Sequence, residues 1–204
     1  MAGSRREGAR VLRAAALASV ALGGCAVGDG DGELFGVFQA ARCNRPEPES
    51  IDLRPSFFGA DPVEDQLNLR IQRGSEREFF ADGVILHILD VNDLRLNRLD
   101  EPIELGDFYR DPIQAVAYLN ATCRLATPLE SFFEIPPAYR SVGGTITFSA
   151  VYAPEIDMDD TLIEATLTDV RFEDAVDPEE FAVLSGSFRF FFQRGAPAQR
   201  FPRF

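Results

Sequence analysis

The sequence predicts a mainly β fold, a single antiparallel β-sandwich-like domain with long loops. Residues 67–74 alternate apolar and polar side chains, the pattern of a half-buried strand. Residues 83–91 are apolar except for His87 and Asp90, which is typical of a central strand covered on both faces. The 13 Pro and 16 Gly are spread along the chain and argue against long helices, because both residues mark turns.

The second half of the chain adds four strands to this prediction. Residues 113–126 are long enough for a helix, but they lack an i, i+3, i+4 apolar stripe, so their Tyr, Thr and Val content favours a strand. Residues 143–154 run from a Gly pair through β-branched and aromatic side chains to Pro, and residues 161–174 alternate. Residues 181–195 predict a last strand or bent hairpin with Gly186 at a bulge. Long surface loops are expected at 44–66, 100–112 and 127–140.

Composition excludes several classes of function. The net charge of −13 would become −16 without residues 1–24, which carry four Arg and one Glu. So acidic a body is repelled by phosphate backbones, which argues against a nucleic-acid partner. All 20 basic residues are Arg, so lysine Schiff-base chemistry and a P-loop lysine are excluded.

The N-terminus has the pattern of an export signal. Residues 1–13 are Arg-rich, and residues 14–22 are apolar or small and carry no charge. A membrane-spanning helix needs about 20 apolar residues, roughly twice this run. A basic segment followed by a short apolar stretch and small residues predicts a secretory signal peptide.

The end of this signal resembles the lipobox of bacterial lipoproteins. Leu22, Gly23 and Gly24 stand where that motif has Leu and two small residues, and Cys25 stands in the place of its Cys. The resemblance covers about 25 residues and implies that a dedicated signal peptidase cuts before Cys25, whose thiol carries diacylglycerol. It implies nothing about the domain that follows.

The lipobox resemblance divides the chain into a signal peptide at 1–24, a lipidated and flexible tether at 25–36, and one β-rich domain at 37–204. The Gly/Asp-rich start of the tether does not fit an EF-hand loop in either register, so it predicts a spacer. Ala26 follows the lipidated Cys, which favours the outer membrane over the inner in the sorting rule of some lipoproteins. The expected location is the bacterial cell envelope, on its periplasmic or surface face.

Cys43 and Cys123 remain as a pair in an oxidising compartment, and a disulfide is the expected outcome. Closing a loop of about 80 residues would stabilise the fold by up to about 4–5 kcal/mol. The alternatives are two buried free thiols or a metal site. With one His in the chain and no CxxC spacing, zinc is disfavoured.

Residues that could carry chemistry are few. His87 lies in an apolar run and is interpreted as a core residue, and no GxSxG, HExxH or Gly-rich phosphate loop is present. Asp157, Asp159 and Asp160 are weak candidates for a calcium site, since calcium needs only convergent oxygens. Paired carboxylates would also permit a hydrolase, which is a third hypothesis beside an interaction module and a calcium- or carbohydrate-binding domain.

The function expected from the sequence is that of a membrane-anchored envelope lipoprotein without enzymatic activity or cofactor. Its domain would be an interaction or structural module for an envelope protein or glycan. The alternative is a calcium- or carbohydrate-binding β-sandwich domain.

Overall fold

The fold is mainly β, as predicted. The structure is a computed structural model that describes residues 30–74, 81–123, 138–153 and 161–192. A short helix, α1 (Val91–Asn97), follows the fifth strand, and a 3-10 helix (Ala41–Cys43) follows the first. The strands are β1 (Gly30–Ala40), β2 (Arg45–Leu53), β3 (Phe57–Val63), β4 (Gln66–Arg73), β5 (Asp82–Ile88), β6 (Pro102–Glu104), β7 (Ile113–Leu119), β8 (Ala138–Ala150), β9 (Leu162–Asp174) and β10 (Phe181–Phe191).

These strands form one curled antiparallel sheet in the order β2-β1-β10-β9-β8-β7-β5-β4-β3, with β6 beside β8. The first strand pairs with the last, from Gly30 opposite Phe190 to Gln39 opposite Phe181. β8 pairs with β7 through its first residues and with β6 further along. The curl brings edge strand β3 to β10, where the rings of Phe58 and Phe190 stack with their centroids 5.5 Å apart.

Bulges let the long strands bend. The β9–β10 register shifts between Leu184 and Gly186, so the predicted bulge at Gly186 is confirmed. Gly186 has φ 138°, a backbone conformation that side chains disfavour. A Cβ atom there would lie 1.9 Å from the carbonyl oxygen of Glu33. Glycine is therefore required for β10 to approach β1.

The core fills the concave side of the sheet with large apolar side chains. β5 contributes from both faces, since Val84, Ile85 and Leu86 are all buried, as predicted for a central strand. Residues 113–119 form strand β7, which settles the ambiguity between helix and strand for that part of the segment. The largest fully buried side chains are Tyr139, Phe38, Phe58, Phe148, Phe172, Phe188 and Phe190.

The loop predicted at 44–66 is wrong, because it contains β2 and β3. β2 is an edge strand in which Ile51 and Leu53 alone are buried, so its sequence lacks a full apolar face. Pro46 and Pro48 are tolerated there because an edge strand can turn a missing N–H towards solvent. In the loop predicted at 100–112 the structure places β6, and the described end of the 127–140 loop, residues 138–140, belongs to β8.

The flexible tether predicted at 25–36 is also too long. Residues 30–36 belong to β1, and Leu34 is fully buried. Gly36 packs against β10 so closely that a Cβ atom would lie 1.8 Å from the carbonyl oxygen of Val183. Glycine at position 36 therefore allows β1 to pack closely against β10 and is not a sign of a flexible chain.

The helix α1 was not expected from the sequence. Asp90 caps it by accepting a hydrogen bond of 2.8 Å from the amide of Asp93, and Val91 and Leu94 point into the core. Strand β5 therefore stops at Ile88, short of the predicted 91.

We predict that Gly186→Ala lowers the free energy of unfolding by about 2–4 kcal/mol, because it adds both a disfavoured φ and a clash with β1. Urea unfolding measures the loss. Gly143→Ala is the matched control, since it also lies in a strand and a Cβ atom there meets nothing within 4 Å. Equal losses in the two variants would contradict the role given to Gly186.

Candidate functional site

The structure describes only some of the residues that the sequence predicts to form functional sites. Leu22, Gly23, Gly24 and Cys25 lie outside the described residues, and so do the calcium candidates Asp157, Asp159 and Asp160. Within residues 30–74, 81–123, 138–153 and 161–192, no three His, Cys, Asp or Glu side chains are grouped to hold a metal ion. Over the same residues, no helix has the length and apolar character needed to cross a membrane.

Cys43 and Cys123 form the predicted disulfide, with their Cα atoms 4.7 Å apart. Both are buried, at the end of the 3-10 helix and just after β7. The turn before Cys123 is fixed by Asp82, whose carboxylate accepts hydrogen bonds from the amides of Ala121 and Thr122 and from the Thr122 hydroxyl. The disulfide joins the connection after β1 to the middle of the sheet.

His87 is half-buried in β5 between two glutamines. Its Nε2 atom lies 3.1 Å from Oε1 of Gln66, and its Nδ1 atom lies 3.4 Å from Oε1 of Gln114. Neither neighbour is a nucleophile or a carboxylate. The contacts therefore fit the structural role predicted for this residue.

Arg42 links the end of β1 to the β9–β10 turn. Its Nη2 atom lies 2.6 Å from the Asp174 carboxylate, and its Nε atom lies 2.5 Å from that of Glu180. The Arg42 side chain is 38% exposed, whereas the two carboxylates are 9% and 6% exposed. One partly exposed guanidinium therefore forms ion pairs with two buried carboxylates, and it also lies over the ring of Tyr139.

Arg42 changes how Asp174 and Tyr139 titrate. Burial alone would raise the pKa of Asp174, but hydrogen bonds from Arg42 and from the amides of Val176 and Asp177 outweigh it and hold that pKa below its usual 3.8. Burial raises the pKa of Tyr139, against the opposing effect of Arg42. This cluster is a brace, since its polar groups are directed at one another.

A second polar cluster lies on β4, where sequence alternation predicted solvent-facing side chains. Arg70 and Gln72 are buried instead. The Arg70 guanidinium lies 5.5 Å from the Phe57 ring centroid and 5.8 Å from that of Tyr118, and it bonds the Tyr118 hydroxyl at 3.2 Å. Burial raises the pKa of Tyr118. The half-buried strand predicted for 67–74 is therefore buried on both faces at this point.

On the outer surface, guanidinium groups of β8 and β9 lie against aromatic rings from β10 and from the loop before β7. Arg140 stacks on two rings, 5.3 Å from the Phe108 centroid and 5.4 Å from that of Tyr109. Tyr109 is 71% exposed, and its hydroxyl accepts a hydrogen bond from Arg140. We call this surface the aromatic–arginine face; it consists of Tyr109, Arg140, Arg171, Glu173 and Phe181, and the buried ring of Phe108 packs against Arg140.

The strand register extends this face. Arg140 lies opposite Glu173, and Glu173 lies opposite Phe181 on the next strand. Arg171 is 2.6 Å from the Glu173 carboxylate and 4.1 Å from the Phe181 ring centroid. The face thus carries two cations and one anion on a chain that is acidic overall.

The loop before β7 presents Tyr109 to solvent. The Asp107 carboxylate accepts a hydrogen bond from the Tyr109 amide at 3.1 Å, and the Asp111 carboxylate accepts one from the Asp107 amide at 2.6 Å. These local bonds favour a turn, because short acidic side chains bond their own backbone. Sequence reasoning placed the loop here but gave no signal for its contact with Arg140.

An open groove of about 700 Å³ lies at the start of β1. It forms where β2 ends, since the last β2–β1 pair joins Leu53 and Leu34 and leaves Gly30–Glu33 without a β2 partner. We call it the β1 groove. Its lining residues are Asp31, Gly32, Glu33, Arg54, Pro55, Glu164, Ser187, Phe188 and Arg189.

Comparisons of the chain with family models, with curated proteins and with solved structures find no match.

We predict that Arg42→Met costs about 2–3 kcal/mol of unfolding free energy near neutral pH. That is somewhat less than the 3–5 kcal/mol of a fully buried pair, because Arg42 is partly exposed. Chemical denaturation measures the loss. Arg98→Met is the control, because Arg98 pairs with Asp93 where both side chains are more than a third exposed.

We predict that the loss of unfolding free energy in Arg42→Met depends on pH. Since the folded-state pKa of Asp174 is depressed, its contribution is complete above the ordinary value of 3.8 and is lost as the pH falls through the depressed pKa. The difference between the wild type and Arg42→Met should therefore shrink in strong acid. A difference that grows in acid would contradict the brace.

Proposed function

We propose that this chain is a lipid-anchored protein of the bacterial cell envelope, whose β domain is a non-enzymatic interaction module. The observation that carries the proposal is the Leu22-Gly23-Gly24-Cys25 motif behind a short apolar run. Burial of an acyl chain is worth about 0.8 kcal/mol per CH₂, and a single chain anchors only marginally. Two or three chains on Cys25 would make a stable anchor without a membrane-spanning helix.

The distance between Cys25 and the sheet supports an anchored domain. Strand β1 begins at Gly30, so four residues separate the two. Even fully extended, the chain from Cys25 to Gly30 spans at most about 17 Å. A lipid on Cys25 would therefore hold the β1 end of the domain close to the membrane surface.

The aromatic–arginine face supports the interaction role. Tyr and Arg are enriched among the residues that dominate binding energy at protein interfaces. Stacking on two rings already orders Arg140 in the free domain, so binding would cost it little side-chain entropy. The exposed ring of Tyr109 could equally receive a sugar face, which keeps carbohydrate binding as the second candidate.

We predict that Cys25→Ala releases the protein from the membrane and abolishes acyl labelling, because no thiol would remain for lipid attachment at that position. Membrane fractionation and incorporation of labelled fatty acid measure the two effects. Val27→Ala, two residues later, should keep both. Membrane association of Cys25→Ala equal to that of the wild type would refute the anchor.

We predict that a photoreactive phenylalanine analogue at position 109 crosslinks the protein to an envelope component in living cells. The same analogue at Leu96, which is 65% exposed on α1, is the control and should give no adduct of that size. Equal labelling from both positions would contradict a specific role for the face. An adduct degraded by glycosidases but not by proteases would favour the carbohydrate-binding alternative.

A further inference from the structure

We propose that the β1 groove binds the zwitterionic headgroup of a phospholipid in the membrane that would hold Cys25. The guanidinium groups of Arg54 and Arg189 would bind the headgroup phosphate. The carboxylates of Asp31, Glu33 and Glu164 would bind its ammonium group. The inference rests on the proposed lipid anchor and adds a contact between the folded domain and the bilayer surface.

The position of the groove is the first reason. Asp31 and Glu33 come six and eight residues after Cys25, and both line the groove at the start of β1. The extended chain from Cys25 to Gly30 spans at most about 17 Å, so the groove cannot lie far from the headgroup layer. Whatever else the domain contacts, this end of the sheet is the part that the anchor keeps near lipid.

The charges of the groove are the second reason. It is lined by two guanidinium groups and three carboxylates, which matches a ligand that carries both signs. Arg189 is 3.9 Å from Glu164, at the limit of an ion pair, and its side chain is 59% exposed. Arg54 is 77% exposed and contacts Asp52 through one nitrogen. Both guanidinium groups therefore retain N–H donors for a phosphate.

The carboxylates of the groove favour a zwitterionic headgroup over an anionic one. Three carboxylates and two guanidinium groups line it, so an anionic headgroup would bring a further negative charge to a site that is already negative overall. A neutral headgroup avoids this repulsion and still offers a phosphate to the two arginines.

Phe191 is the third reason. Its side chain is 48% exposed at the end of β10, and the Arg189 guanidinium lies 6.0 Å from its ring centroid. Aromatic side chains are favourable at the boundary between headgroups and acyl chains. An exposed ring beside a cation at the anchored end of the domain fits contact with that boundary.

The test uses the natural absence of Trp from the chain. Phe191→Trp places a single fluorophore beside the groove, and Val176→Trp places one in the β9–β10 turn, where the side chain is 91% exposed. These positions lie at opposite ends of the β9–β10 hairpin. Both full-length lipidated proteins are reconstituted into phosphatidylethanolamine–phosphatidylcholine vesicles that contain brominated acyl chains.

We expect the bromine to quench the fluorescence of Phe191→Trp at least twofold and to leave that of Val176→Trp unchanged. Equal quenching, or no quenching of Phe191→Trp in a protein that floats with the vesicles, would overturn the inference while the anchor stands. Loss of flotation in wild type and variants alike would instead refute the proposed anchor. Circular dichroism of both variants checks that they fold.

The headgroup itself is tested in solution with Phe191→Trp carrying Cys25→Ala, so that no anchor is needed. Monomeric dihexanoyl phosphatidylethanolamine should shift the Trp emission, whereas dihexanoyl phosphatidylglycerol and inorganic phosphate should not. Arg54→Gln with Arg189→Gln should abolish the shift, and Arg98→Gln at the C-terminal cap of α1 should preserve it. Equal shifts with all three ligands, or a shift that survives the double substitution, would overturn the headgroup site.

Discussion

The pairing of the first described strand with the last is the constraint on which the structure depends. Most other neighbours in the sheet are close in sequence, whereas β1 and β10 are separated by almost the whole domain. Bringing them together costs loop-closure entropy that local hairpins avoid. Two restraints follow β1 directly and offset this cost: Arg42 forms ion pairs with Asp174 and Glu180 beside β10, and Cys43 is bonded to Cys123 after β7. Consecutive residues thus fix β1 by an ion-pair cluster and by a covalent bond.

The same pairing determines which elements lie near the start of β1. Once β1 is aligned with β10, Gly30 lies opposite Phe190, so the N-terminal entry to the sheet and the end of the last strand share one edge of the domain. Because β2 ends opposite Leu34, the edge before it stays open and becomes the groove. A lipid at Cys25 would orient this edge. The aromatic–arginine face spans the opposite end of the β9–β10 hairpin, from Glu173 to Phe181, and would remain free for a partner.

The sequence predicted the strands that have a clear apolar pattern of their own. It missed strands whose residue pattern depends on the elements that they pack against. Strands β5 and β7 were predicted because each is a run of mostly apolar residues, and most of their side chains are buried. β2 was not, because an edge strand with two prolines buries few residues. Residues 30–36 resembled a tether because their glycines, which allow close contact with β10, also suit a flexible chain. The burial of Arg70 depends on rings from β3 and β7, which no local pattern contains.

The candidate surfaces could not be predicted from the sequence, for a related reason. Composition gives the net charge of the chain, whereas function depends on where the charges lie in the fold. The guanidinium of Arg42 is engaged by buried carboxylates, whereas Arg54 and Arg189 remain exposed at the edge where β1 begins. At physiological salt, charges interact over about 8 Å, so distant carboxylates hardly affect this edge. A chain with a net charge of −13 can therefore present a local surface suited to a phosphate. The register of β1 on β10 sets that surface, since it places Asp31 opposite Arg189.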